Sequence, residues 1–260
     1  MKVQEFMTAA PVTIDENASL ETALAAMDEH AIRHLPVVQE ERLVGVLSNR
    51  DLLGLTGWRS RVHDRETGPR WVRDLMHRDV VTVNPSDDAV AAAIEVFARG
   101  VGCLPVIEGG KLLGIISDMD LVGLLARSDR LGDSASDPIS SLGVAQAFVV
   151  SPDASLGQID EVMHAKSIRH VPIVEGDRLL GIVSDHDMRR AAGEGIAWTE
   201  SAHAFMTEGV VTVHEDLPVA QAAAAMSDRR IGALVVTGES GDLGIVTTTD
   251  MLGYLIDSIA

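Results

Sequence analysis

"GIISDMD", residues Gly114 to Asp120, joins an apolar run of the kind that fills a buried strand to a hydroxyl and two carboxylates. The text recurs as "GVLSNRD" at 45–51, "GIVSDHD" at 181–187 and "GIVTTTD" at 244–250. The closing aspartates, Asp51, Asp120, Asp187 and Asp250, are separated by 69, 67 and 63 residues, the spacing of an internal repeat much longer than the motif itself.

Working outward, Pro36, Pro105, Pro172 and Val235 each stand 15 residues before the aspartate, inside "LPVV", "LPVI", "VPIV" and "LVVT". Further upstream lie "FMTAAPVTI", "LMHRDVVTV" and "FMTEGVVTV", with the divergent "LGVAQAFVV" at 142–150 in the third copy. Between these blocks apolar residues recur at helical spacing: Leu20, Leu24 and Met27; Val90, Ile94 and Phe97; Leu156 and Met163; Val219, Ala223 and Met226. Polar turns such as "QEER", "EGGK" and "EGDR" suit a hairpin between the two later strands. In first-copy numbering this predicts a strand at about 10–14, a helix at 18–30, strands at 34–38 and 43–48, and a helix from 49, an α/β (α+β) unit of β-α-β-β-α order.

One such unit has too little core to stand alone, so the copies are expected to pair into two modules. The expected domains are 1–57, 70–127, 138–192 and 200–260, with the module boundary in the Ser- and Asp-rich stretch 127–140. Insertions at 54–70 and 191–200 join the copies within each module.

Composition narrows the function. A hydrophobic content of 46% supports a packed core, no apolar run approaches the roughly 20 residues of a membrane span, and the start "MKVQEFMTAA" lacks a signal-peptide core. A soluble, cytoplasmic protein is expected. Cys103 is the only cysteine, which excludes an intrachain disulfide and a cysteine-based zinc cluster. A formal charge of −18 repels a nucleic-acid backbone. A small anionic ligand is still compatible with it, because helix N-termini and arginines act locally and salt screens distant charge within about 8 Å.

The Gly-apolar-apolar-Ser/Thr-x-x-Asp block, the "RHLP" and "RHVP" strands and the "MT…VVTV" openings resemble cystathionine β-synthase (CBS) domains, four times over, across most of residues 5–258. The resemblance implies two Bateman modules, each a tandem pair packed about a pseudo-twofold axis. It also implies clefts that commonly take AMP, ADP, ATP or S-adenosylmethionine. The modules would meet as a disc, either within one chain or in a homodimer.

Carried over residue by residue, the resemblance makes Asp51, Asp120, Asp187 and Asp250 acceptors for ribose hydroxyls, and places Ser48, Ser117, Ser184 and Thr247 near phosphate. The same Ser/Thr-x-x-Asp spacing is also a capping box at a helix start, and the sequence leaves both readings open. Arg50, His186, Arg33 and Arg169 are further phosphate candidates, against readings as solvated or ion-paired side chains. Asp118 and Asp185 set a second negative charge where phosphate would lie. Val12, Thr13, Val37, Val81, Thr82, Val106, Ile173, Val211 and Thr212 would wall the adenine, although each is also a reasonable core residue.

No metal is expected, because His34, His170 and Cys103 show no ligand spacing. The leading expectation is a non-catalytic adenine-nucleotide or S-adenosylmethionine sensor acting on an unidentified partner or on its own assembly. The alternatives are an interaction scaffold with vestigial clefts and, last, an enzyme or metal protein using His34, His170 or His186.

Overall fold

The structure is a computed structural model and describes residues 1–56, 69–127, 136–239 and 241–258. The expected connection through 57–68, most of the module boundary at 128–135 and the last two residues of the fourth domain lie outside the described residues.

The first repeat runs β1 (Thr8–Ala9), β2 (Ile14–Asp15), α1 (Leu20–Glu29), β3 (His34–Gln39), β4 (Arg42–Ser48) and α2 (Asn49–Thr56). The second follows with α3 (Val72–Leu75), α4 (Ala89–Arg99), β5 (Cys103–Glu108), β6 (Lys111–Ser117) and α5 (Asp118–Arg127). The third has β7 (Ala145–Gln146), α6 (Leu156–Lys166), β8 (His170–Glu175), β9 (Arg178–Ser184) and α7 (Asp185–Gly193). The fourth has β10 (Thr212–His214), α8 (Val219–Arg229), β11 (Ala233–Thr237), β12 (Leu243–Thr247) and α9 (Thr248–Asp257).

The helices start where their caps dictate. Ser19 accepts from the Thr22 amide at 3.1 Å, Asp88 from the Val90 amide at 2.8 Å and Ser155 from the Gln158 amide at 3.2 Å. The first helix of every repeat ends on a left-handed residue at one shared register: Ala31 (φ 50°), Gly100 (φ 63°), Ser167 (φ 54°) and Arg230 (φ 52°). Only the second repeat places a glycine there.

The strand expected over 10–14 divides in two. Its later half pairs in parallel with its own repeat, Ile14 beside Val37, Val83 beside Val106, Val150 beside Ile173 and Val213 beside Val236. Its earlier half crosses to the sibling repeat. β1 pairs antiparallel with β6, placing Thr8 opposite Ile115, while His77 of the second repeat bridges Val46 on β4. The second pair repeats the exchange, with Ala145 opposite Ile245 and Thr207 bridging Ile182.

Glycine makes this close approach feasible. A Cβ on Gly45 would lie 2.7 Å from Met76 Sδ and 2.9 Å from the His77 carbonyl oxygen. On Gly114 it would lie 2.7 Å from Met7 Sδ, and on Gly181 2.7 Å from Met206 Sδ. In the third repeat Val144 replaces the methionine and packs against Gly244. The recurring Met and the recurring Gly are two sides of one contact between repeats.

The two pairs also meet within the chain. Repeats two and four share one continuous apolar core, in which Leu121, Leu124 and Leu125 of α5 join Ala222, Met226, Met251 and Leu255 of α8 and α9. Repeats one and three keep separate cores around Leu35 and Leu47, and around Ile159 and Val183. Where they adjoin, α2 faces α7 and the contact includes polar groups: the Arg189 side chain is 2% exposed, with Asp28 Oδ1 at 3.8 Å and His186 Nδ1 at 2.7 Å.

Candidate functional site

Each hairpin's second strand ends on Ser or Thr, and the chain turns at once into a helix. The turn is stitched to the previous strand by a backbone bond repeated four times: Asn49 N–H to Arg33 O, Asp118 to Gly102, Asp185 to Arg169 and Thr248 to Gly232. Asp51 Oδ2 then accepts from the Ser48 amide at 2.8 Å and the Ser48 hydroxyl at 2.7 Å. Asp120, Asp187 and Asp250 repeat this, with hydroxyl contacts of 2.7, 2.6 and 2.7 Å from Ser117, Ser184 and Thr247. Capping is therefore present in all four copies, and it occupies one carboxylate oxygen.

The second oxygen differs from copy to copy. Asp51 Oδ1 meets His77 Nε2 at 2.9 Å, and Asp187 Oδ1 has Arg190 at 3.6 Å. Asp120 and Asp250 have no partner for Oδ1 among the described residues.

Asp51 opens onto a cavity of about 540 Å³ to which all four repeats contribute. Ser48, Asn49 and Arg50 line it beside Asp51, and the second repeat adds His77, Val80 and Val81 together with the turn Gly100–Gly102. Arg33, Asp118, Arg169, Asp185, Thr248 and Thr249 also line it. The cleft thus pairs the aspartate of one repeat with the opening strand of its sibling, a consequence of the exchange described above.

In the lining Arg33 Nη2 donates to Asp118 Oδ1 at 2.9 Å, and Thr248 Oγ1 donates to Asp118 Oδ2 at 3.4 Å. Asp118 is 7% exposed, so the charge expected to repel phosphate is largely neutralised, at the cost of engaging one of the expected phosphate ligands. Arg169 lines the cavity with no ion pair among the described residues. The Asn49 side-chain amide nitrogen is buried and has no acceptor among the described residues.

Burial pushes the His34 imidazole down to about 4 against the opposing pull of Asp118, and pushes His170 down to about 4 against Asp185. Both rings are therefore neutral at pH 7. Burial, with Asp118 and Asp120 adding, raises the Cys103 thiol to about 12 and leaves it unreactive. A Cβ on Gly102 would collide with the His34 ring, and Gly232 faces His170 at 3.4 Å, so the Arg-His and Gly positions alternate because one accommodates the other across each pair.

Of the residues expected from sequence, Ser48, Arg50, Asp51, Arg33, Arg169 and Val81 gather on this one cavity. Val37, Val106 and Ile173 do not line it. Each is 0% exposed, because the middle strand of the sheet is covered by its own parallel partner and by the helices. Val12 and Val211 are half-buried, Thr13, Thr82 and Thr212 are exposed, and none of the five lines the Asp51 cavity. His186 is exposed and held by Arg189. Sequence reasoning missed His77, Asn49 and Arg189. The one available signal was that "LMHRD" carries His where "FMTAA" and "FMTEG" carry Thr.

This arrangement defines the class. The CBS domain model matches residues 3–56, 72–127, 139–194 and 202–257, and the chain belongs to the CBS domain family. Among its relatives, an uncharacterized 33.4 kDa protein encoded in a ribosomal RNA operon of Thermofilum pendens is 28% identical over 89% of this chain and 83% of the other. The protein MJ1225 of Methanocaldococcus jannaschii, proposed to be an archaeal homolog of g-AMPK, is 26% identical in sequence over 94% of each chain. Its crystal structure superposes with a TM-score of 0.78 over 98% of this chain and 99% of that one, at 23% identity. An uncharacterized Pyrococcus horikoshii protein superposes at 0.65 over 98% of this chain and 100% of its own, also at 23% identity. These structural likenesses show the fold. Among the described residues no group of His, Cys, Asp and Glu is arranged to hold a metal, and no helix is long and apolar enough to cross a membrane.

Proposed function

We propose that this chain is a non-catalytic sensor whose inter-repeat clefts bind an adenosine-containing ligand, AMP, ADP, ATP or S-adenosylmethionine, and whose occupancy regulates a partner or the packing of its own repeats. The observation that carries the reading is the Asp51 cavity. Its volume lies within the range of ordinary small-molecule sites. Asp51 offers an acceptor for a ribose diol, α2 presents its N-terminal turn, Arg50 and Arg169 supply positive charge, and Val80 and Val81 give an apolar edge for the base. Ser117 and Asp120, Ser184 and Asp187, and Thr247 and Asp250 are the matching groups of the other three clefts. Because the cavity is lined from all four repeats, a ligand there would favour one arrangement of the two pairs over another.

Native mass spectrometry of the full chain with AMP, ADP, ATP and S-adenosylmethionine tests this, followed by calorimetry on Asp51→Ala. The expected result is a bound nucleoside whose stoichiometry drops in the variant. Absence of mass shift and heat with every ligand refutes the reading.

The second reading, an interaction scaffold with vestigial clefts, is favoured by the capping role of all four aspartates. It predicts that Asp51→Ala lowers stability while every ligand affinity stays the same.

A further inference from the structure

We propose that His77 is a competitor built into the Asp51 cleft: it holds the carboxylate oxygen that a ligand hydroxyl must take, so that this cleft binds under competition from a hydrogen-bonded side chain of the sibling repeat. The inference rests on the reading of Asp51 as a ligand acceptor. His77 is fixed at the end of β4 by two backbone bonds with Val46, of 3.0 and 2.9 Å, which hang its ring over the strand-to-helix turn. Its Nε2 meets Asp51 Oδ1 at 2.9 Å while Oδ2 serves the cap. Both oxygens of Asp51 are thus committed, and an incoming hydroxyl has to displace or share with the imidazole.

The other repeats lack a histidine in this place, although in the third Arg190 stands 3.6 Å from Asp187 Oδ1. At the same register, opposite the residue that follows the close-approach glycine, stand Thr8, Ala145 and Thr207. None of the three hydrogen-bonds the adjacent aspartate among the described residues.

The cavity is also lined by the cationic groups Arg33, Arg50, Arg99 and Arg169. Arg99 is already paired with Glu95 at 2.6 Å and Arg33 with Asp118, so neither competes with His77 for Asp51. The His77 side chain is 70% exposed, which limits the effect to that of a surface ion pair, about two- to fivefold in affinity.

Calorimetric titration of AMP into wild type, His77→Thr and Asp51→Ala tests the assignment. The threonine is what two sibling repeats carry, and a melting curve confirms that the variant is folded. Expected is His77→Thr binding at the Asp51 cleft about two- to fivefold tighter than wild type, with Asp51→Ala losing the site. If His77→Thr matches or weakens wild-type binding while Asp51→Ala still removes a site, the role of His77 is refuted and the ligand reading stands. If Asp51→Ala changes nothing, the ligand reading itself fails and the inference falls with it.

Discussion

Gly45→Ala tests the contact on which the pairing of repeats depends. The new methyl would sit 2.7 Å from Met76 Sδ, which a thioether can partly yield, and 2.9 Å from the His77 carbonyl oxygen, which cannot move alone. That carbonyl accepts from the Val46 amide at 3.0 Å, and the His77 amide donates back to Val46 O at 2.9 Å. Relief therefore requires the 76–77 segment to lift from β4. Overpacking of this kind costs about 1–3 kcal/mol, and each strained backbone hydrogen bond adds about 0.5–1.5 kcal/mol. With both bonds, a total of about 2–6 kcal/mol corresponds to a fall in melting temperature of roughly 4–24 °C for a chain of this size.

The assay is thermal and urea denaturation followed by circular dichroism, with Gly157→Ala as control. Gly157 lies in α6 with the Trp198 carbonyl oxygen at 3.4 Å from its ideal Cβ, so alanine there is neutral or stabilises by up to about 1 kcal/mol. Met76→Ala in the Gly45→Ala background costs less than it does alone, because it relieves the sulfur contact but leaves the carbonyl in place. A Gly45→Ala protein that melts within 1 °C of wild type, an interval well below the roughly 4 °C floor above, would show that the exchanged segment does not press on β4 and would refute the argument.

The left-handed residues that close the first helices offer a gain: Ser167→Gly and Arg230→Gly each raise stability by about 0.5–1 kcal/mol in the same melts, whereas Gly100→Ala lowers it. His34 and His170 have folded-state values lowered from 6.5 to about 4, so the unfolded chain binds more protons between those limits. Their contribution is complete above pH 6.5 and is lost as pH falls towards 4, and the paired variant His34→Gln/His170→Gln flattens that part of the stability-versus-pH curve. Arg189 is 2% exposed, its Nε and Nη1 make no hydrogen bond among the described residues, and Asp28 stands 3.8 Å from Nη1, so Arg189→Met raises the melting temperature by removing a buried charge, worth about 1–2 kcal/mol, and a fall instead would show that Asp28 compensates the charge.

Much of the architecture was legible in the chain. The hairpin strands carry their own markers in Pro36, Gly45 and Ser48, and the following helix announces itself by Ser48 and Asp51 three residues apart. Such features are written in contacts within about fifteen residues, so a single copy suffices to read them and four copies confirm the period. The site was legible only in part. Asp51, Ser48, Arg33, Arg50 and Arg169 were recognisable as chemistry, yet Val37 looked as suited to a cleft wall as Val81, because an apolar strand residue carries no label for which side is covered.

The sequence by itself determined that there are four β-α-β-β-α units, where each begins its hairpin, and which carboxylate starts each second helix, since these follow from local periodicity, turn chemistry and capping. Only the tertiary structure decided which units share a strand, that repeats two and four fuse their cores while one and three meet through Arg189 and Asp28, and that Asp51 faces His77 and Val81 rather than Val12. The physical reason is that four near-equivalent copies present near-equivalent apolar faces and strand edges. Choosing among the pairings depends on contacts such as Met76 over Gly45 and the His34 ring over Gly102, which come from residues tens of positions apart and exist only once the chain has closed on itself.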